Sequence, residues 1–276
     1  MKRSRIRSLS AVAAACVTLA VAGATASYAT TTDNGATVPT FKQFEASTYV
    51  DVDGAYVVNG DEVAATKADL KKFYDRMVGE SDGQGLEDGL IVNTVSGVDD
   101  RWSASQALNL TYCVSTKFGS RHDDIANAMT AGAALWEGAT SKVNFIYVPA
   151  QDGSCTVRNN NVLFSVEPVS TTQYIARSFF PSTAKRSRNV LVDDSIWTSG
   201  NWEPGDILGH ELGHTLGFRH EHTRPEAGTC FEDNNWRPLT PYDSASIMHY
   251  PQCNGSSSDL EFQASDAAGA RALYGS

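Results

Sequence analysis

The chain has 276 residues, enough for one or two domains with a substantial hydrophobic core. Its 22 Lys+Arg against 32 Asp+Glu leave a formal net charge of −10. That balance argues against nucleic acid or an anionic membrane surface as a partner.

The first residues set the compartment. Lys2, Arg3, Arg5 and Arg7 precede an apolar run from Leu9 to Gly23, followed by small residues through Ala29. This predicts a signal peptide over 1–29, cleaved after Ala26 or Ala29, and a secreted protein with no membrane partner once the leader is gone. A transmembrane anchor is the alternative, but the run is short and ends in small residues. Cys16 leaves with the leader. The remaining Cys113, Cys155, Cys230 and Cys253 form an even set in an exported chain, which predicts two disulfides. Three pairings are open, and closeness in sequence favours Cys113–Cys155 with Cys230–Cys253.

Residues 30–104 read as a propeptide with a flexible linker, and 105–276 as the catalytic domain. From Ser27 to Asp100 there is neither histidine nor cysteine. Tyr49 to Val63 alternates like a hairpin around Asn59-Gly60 as a two-residue turn. Thr66 to Val78 is predicted as an amphipathic helix, with Thr66 and Asp69 as a capping box. Leu70, Phe73, Tyr74, Met77 and Val78 share one of its faces. Gly79 to Gly89 is rich in Gly, Asp and Glu and forms the linker.

The fold class is α+β. Leu108–Val114 alternates as a strand, and Ser120 with Asp123 opens a helix whose buried stripe is Ile125, Ala128, Met129, Leu135 and Trp136. Val143–Val148 and Val162–Glu167 are further strands, giving a twisted mixed sheet with a helix across it. Tyr174–Pro181 is a candidate edge strand ended by proline. Asp193-Asp194 is a weak calcium candidate, since adjacent acids more often form a solvated turn. Pro204 suits a first helical turn, and Ser265–Tyr274 closed by Gly275 is a C-terminal helix.

The chemistry concentrates in His210-Glu211-Leu212-Gly213-His214, continued by Gly217 and His220. Residues four apart on a helix share a face, so His210 and His214 can share one Zn²⁺. A continuous helix would carry His220 away, but Gly217 can end it with φ > 0 and return His220 as the third ligand. Three protein nitrogens with an open position describe a catalytic zinc rather than a structural one. Glu211 is placed to act on a water in that position.

This H-E-x-x-H-x-x-G-x-x-H pattern, followed by Ser246-Ile247-Met248-His249-Tyr250, resembles the metzincin metalloproteases. The S-x-M-H-Y turn and Glu221 after the third histidine resemble the astacin branch. The resemblance implies a metzincin-type catalytic domain with an active-site helix, a methionine turn and a C-terminal helix. It also implies one catalytic zinc on His210, His214 and His220, Glu211 as general base, and Tyr250 as a resting ligand that moves to hold the oxyanion. Met248 is implied to pack beneath the imidazoles, and His222 and His249 to be bystanders. The segment ending Phe179-Phe180-Pro181 and the block Val192–Thr198 resemble matrix metalloproteases, whose corresponding strand pairs with substrate. Too few histidines remain for that family's second zinc. Astacins use a glycine-aspartate pair in the propeptide for latency, which Asn59-Gly60-Asp61 resembles loosely; a plain hairpin turn is the alternative.

The expected activity is therefore a latent, secreted metalloendopeptidase acting on polypeptides as a monomer. The alternatives are a zinc amidase acting on a non-protein amide and a catalytically idle secreted zinc-binding protein.

Overall fold

Short runs rich in β-branched and aromatic residues form the central sheet, and they need long crossovers because most of them run parallel. A computed structural model describes residues 39–78 and 90–276; the leader 1–29 and the linker 79–89 predicted above lie outside the described residues. Helices α1 (Phe41–Ser47) and α2 (Lys67–Val78) flank a small antiparallel sheet of β1 (Tyr49–Val50), β2 (Tyr56–Val58) and β3 (Glu62–Ala64). After them come β4 (Ile91–Val95), β5 (Val98–Asp99) and the short α3 (Ala104–Ala107). The larger body follows as β6 (Leu110–Val114), α4 (His122–Ala139), β7 (Phe145–Tyr147), β8 (Phe164–Val169), β9 (Ala176–Arg177), β10 (Asn189–Asp193), α5 (Pro204–Thr215), β11 (Trp236–Pro238) and α6 (Ala264–Tyr274).

The five-stranded sheet has the order β7-β6-β8-β10-β9, with β9 antiparallel at one edge and the other pairings parallel. This is the mixed sheet with a crossing helix that the chain order predicts, and the α+β class holds. Its inner face carries Tyr112, Val114, Phe164, Val166, Val190 and Val192 into the main core. There they meet Ile125, Met129 and Trp136 of α4, and Leu208 and Leu212 of α5. Two disulfides, Cys113–Cys155 and Cys230–Cys253, match the pairing favoured by sequence closeness.

Several local expectations shift. The β2–β3 connection holds three residues, because Val58 pairs with Glu62 and leaves Asn59, Gly60 and Asp61 in the loop. Asn59 at φ 55° and Gly60 at φ 97° supply the left-handed backbone, and Asp61 becomes the third loop residue. Ser120 does not cap α4. It lies in a 3₁₀ turn over Thr116–Arg121, and Arg121 takes the N-cap position without a side-chain bond. Asp193 is not arranged as a calcium ligand, since its carboxylate accepts the backbone N–H groups of Ser195 and Thr171.

The stretch from Leu90 to Trp102 is built into the main body. Leu90, Val92 and Trp102 are buried in its core, β4 pairs antiparallel with β11, and the Arg219 N–H donates to the Ile91 carbonyl at 3.0 Å. A boundary at 104/105 therefore cuts through one packed unit. The preceding segment 39–78 keeps a small core of its own, made by Phe44, Val58, Ala64, Leu70 and Phe73. It also lays Val57 on the outer face of the large sheet against Tyr174 and Leu191.

Helices α4 and α5 approach closely where each has a glycine. A Cβ on Gly132 would lie 2.6 Å from the Gly209 backbone nitrogen, and the Trp136 indole N–H donates to the Gly209 carbonyl at 2.8 Å. Gly132→Ala should push α5 away from α4 and lower stability by roughly 1–3 kcal/mol, the usual cost of overpacking. Thermal unfolding of the full chain followed by circular dichroism measures this, and an unchanged melting temperature would contradict the tight contact.

Candidate metal centre

Helix α5 carries His210 and His214 one turn apart on its buried face. It then ends at Gly217, whose φ is 101°. The Gly217 N–H donates to the His214 carbonyl at 2.9 Å and the Phe218 N–H to the Gly213 carbonyl at 3.0 Å. This pair of bonds is a Schellman C-terminus, which satisfies carbonyls the helix leaves open. The turn brings His220 back, and the His210 and His220 Nε2 atoms stand 3.3 Å apart.

Each imidazole is oriented by its other nitrogen. His210 Nδ1 donates to the Ile247 carbonyl at 2.7 Å, and His214 Nδ1 to the Phe218 carbonyl at 2.9 Å. His220 Nδ1 lies 2.6 Å from Glu232 Oε1. Holding Nδ1 in this way leaves each Nε2 free to accept a metal. The fourth corner is filled by Asp61 from the β2–β3 loop. Its Oδ2 is 3.1 Å from His210 Nε2, and its Oδ1 is 3.1 Å from His220 Nε2 and 3.5 Å from His214 Nε2.

These spacings test whether the residues suit zinc. Tetrahedral ligands at about 2.0–2.1 Å from one ion stand about 3.3–3.4 Å from each other. The separations here cluster around that value. Two of the buried atoms facing the common point, His214 Nε2 and Asp61 Oδ1, also have no hydrogen-bond partner. One donor atom from each of Asp61, His210, His214 and His220 fits within a sphere where all lie inside 4.8 Å of one another. The donor set fits a metal such as zinc.

The sequence-predicted residues come together as follows. Glu211 is buried beside His210, and its Oε2 has no hydrogen-bond partner. Burial pushes its carboxyl well above the usual range, and the nearby Asp61 charge adds to the rise. Tyr250 donates its hydroxyl to Asp61 Oδ2, with its ring 4.5 Å from that of His220. Met248 lies under α5, so close to Gly213 that a Cβ there would collide with its sulfur. His222 stacks on His220 at 4.6 Å and accepts the Tyr250 N–H, a supporting contact. His249 bonds the Tyr242 hydroxyl at 2.9 Å. His122 lies apart, against Asp123 and Asp152.

Burial raises the Asp61 carboxyl, but the facing His220 and His214 and the His210 hydrogen bond outweigh it and hold the group well below its ordinary value. Asp61 is therefore an anion at the focus of three imidazoles. Glu232 was not found by sequence reasoning. It lies twelve residues past His220 in an acidic loop, with nothing in its spacing to mark it. Arg219 is buried between Glu232 at 2.8 Å, Asp233 at 2.5 Å and Glu62 at 3.6 Å, so one cation links the His220 orienter to the residue after Asp61.

No family model matches the chain. An alignment 69 residues long, which covers 18% of this chain, is 38% identical to the dorsal-ventral patterning protein tolloid of Drosophila melanogaster, of which it spans only 6%. The solved structure of myroilysin overlaps 67% of this chain and 98% of its own, with 17% identity and a TM-score of 0.46. Met248 and Tyr250 follow the third histidine on a turn pinned by Asp266, which accepts from the Ser246 hydroxyl at 2.5 Å and the Ile247 N–H at 3.0 Å.

Because Glu232 makes the close contact to His220 Nδ1, at 2.6 Å against 3.9 Å for Glu62, Glu232→Ala should loosen that ring. The expected loss in zinc affinity is about 10–100-fold. Competition titration of the full chain against a chromophoric chelator reads it, and unchanged affinity would show that His220 needs no such support.

Proposed function

We propose that the protein is a secreted zinc-dependent endopeptidase made as a latent precursor. The observation that carries this reading is the convergence of His210, His214 and His220 on one point beside Glu211, with the remaining corner held by an aspartate from the N-terminal segment. A fourth ligand from the main body would close the centre permanently. One from segment 39–78 can leave with that segment.

His210, His214 and His220 are the residues that would hold zinc. Bound there, zinc supplies Lewis acidity, polarising a carbonyl and making a water acidic near neutral pH. Glu211 takes the proton from the attacking water and delivers it to the departing amine. Its buried carboxyl suits that exchange once the Asp61 charge, which disfavours ionisation, is withdrawn. Tyr250 loses its Asp61 partner at the same time, and its hydroxyl is then free to donate to the oxyanion formed at the scissile carbonyl.

A polypeptide substrate is favoured over a small amide by the edge strand. The Ser178 N–H, next to β9, donates to the Asp61 carbonyl at 3.0 Å, so segment 39–78 already takes one backbone bond on that edge. A substrate strand would replace it there through its own backbone. We place the boundary of the propeptide between residues 78 and 90 rather than at 104/105, because 90–104 share the main core.

Two variants test the reading. Glu211→Ala in processed protein should cut cleavage of a peptide library by at least about 10²-fold, read by mass spectrometry, with zinc still bound. Cleavage that persists would remove Glu211 from the chemistry, and absence of cleavage by the wild type would favour the amidase or idle-protein readings. Asp61→Ala in the uncleaved precursor should release activity without processing. If that precursor stays as silent as the wild type, Asp61 is only a loop residue.

A further inference from the structure

A cleft of about 360 Å³ opens at the beginnings of three neighbouring parallel strands and takes no part in the chemistry above. Asn109 and Thr111 line it from the start of β6, and Asn160 and Asn161 from the approach to β8. Lys185 and Arg188 line it from the approach to β10. None of these residues comes from segment 39–78, so the cleft does not depend on that segment being in place.

Its charge is out of keeping with the rest of the chain. The sequence has 32 Asp+Glu against 22 Lys+Arg, yet two cations line this cleft and no carboxylate does. Lys185 Nζ donates to the Val157 carbonyl at 3.0 Å, and the Arg188 guanidinium lies 4.8 Å from the centre of the Trp102 ring. Burial, and after it the Arg188 charge, pushes the Lys185 ammonium below its ordinary value, and burial does the same to Arg188. Like charges held together in a half-buried place repel, and an anion between them offsets that repulsion. The carboxylates that act on this pair, Glu167 and Asp100, are engaged elsewhere. Glu167 accepts the Val157 N–H at 2.9 Å and the Ser165 hydroxyl at 2.7 Å. Asp100 accepts the Asn93 amide at 2.8 Å and the Ser182 hydroxyl at 2.7 Å.

We propose that this cleft binds a tetrahedral oxyanion, a phosphate or sulfate group, between Lys185 and Arg188. The donors decide the shape of the anion. Arg188 Nε donates to the Thr183 carbonyl at 2.7 Å and its Nη2 to the Pro181 carbonyl at 3.1 Å. The side-on fork that grips a flat carboxylate is therefore already taken. Single donors on separate walls remain: the Lys185 ammonium, Arg188 Nη1 and the Asn160 amide. Such a set suits oxygens that diverge from one centre, and lysine serves phosphate as a point charge. The cleft exceeds the size of one such ion, and Asn109 and Thr111 offer polar side chains to a hydroxyl-bearing group attached to it. A free ion and a polyol or sugar ester present the same group to the two cations. The site stands apart from the endopeptidase reading and survives the failure of that reading.

Isothermal titration calorimetry of the full chain at constant ionic strength tests this, with inorganic phosphate, inorganic sulfate, glycerol phosphate and acetate as the probes. Phosphate or sulfate should bind one to one and at least about tenfold tighter than acetate. Lys185→Gln removes a cation and Asn160→Asp adds an anion, and each should weaken binding at least about tenfold. Arg186→Gln makes the same charge change at an exposed neighbour outside the cleft, and should leave binding within about twofold. Thermal unfolding of each variant by circular dichroism checks that it is folded, and the two cleft variants fail in different ways if either disturbs the chain. No saturable binding of phosphate or sulfate overturns the site, as does binding no tighter than that of acetate. Binding that survives Lys185→Gln and Asn160→Asp also overturns it, and so does an equal loss on Arg186→Gln, which would mean diffuse surface charge. With the site upheld, glycerol phosphate binding at least about tenfold tighter than inorganic phosphate identifies an ester as the ligand, and equal binding identifies the free ion.

Discussion

The Asp61 carboxylate set among three imidazoles is the contact around which the buried polar centre is arranged. Four polar groups meet in a place from which water is excluded, and each alone would carry a desolvation penalty. Together they compensate one another, and their spacing matches the coordination shell of a single small cation. The same carboxylate keeps Tyr250 engaged and disfavours charge on Glu211. One side chain thus bears on the three imidazoles, Glu211 and Tyr250 together.

Rigidity around this point comes from close packing rather than from further charge. The Gly132–Gly209 contact seats α5 directly on α4, and Trp136 fills the space between them and stacks on Phe218 at 5.0 Å. Met248 closes the floor beneath α5. The methionine turn is held in turn by Asp266 at the start of α6, so the last helix of the chain reaches the centre through two hydrogen bonds. Above the centre, segment 39–78 meets the main body through Asp61 at the imidazoles, Asp51 and Asp53 at Arg177, Glu62 at Arg219 and Arg76 at Asp233, and through Val57 and Val63 on apolar surface. Only the last is mainly apolar. Most of the polar attachments set carboxylates of the segment against imidazoles and guanidinium groups of the main body.

Much of this was legible in the chain. The helical spacing of His210 and His214, the breaking glycine at Gly217 and the return of His220 follow from backbone geometry over eleven residues, and the structure brings the three rings together. The α2 capping box and the stripe on α4 follow from the same local periodicity. What was missed is of two sorts. The start of α4 and the length of the β2–β3 loop depend on hydrogen bonds that compete within a few residues, where Ser120 or a two-residue turn are nearly as good as the solutions adopted. Glu232, Arg177 and the aspartates at 51 and 53 carry no local mark at all. Their long-range partners lie 12 to 136 residues away in sequence.

Local chemistry by itself determined that His210 and His214 share one face of a helix with Glu211 beside them, because residues one helical turn apart face the same way whatever surrounds them. It also placed several strands and helices of the main body through periodicity, and through proximity it favoured the observed cysteine pairs among three possible ones. The tertiary structure alone decided that Asp61 is the fourth group at the centre, that Glu232 aims the third imidazole, and that 90–104 belong to the main body. Each of these is a meeting between segments far apart in the chain. Such a meeting depends on how layers stack and which edge a strand occupies, and residue spacing along the backbone carries no record of that.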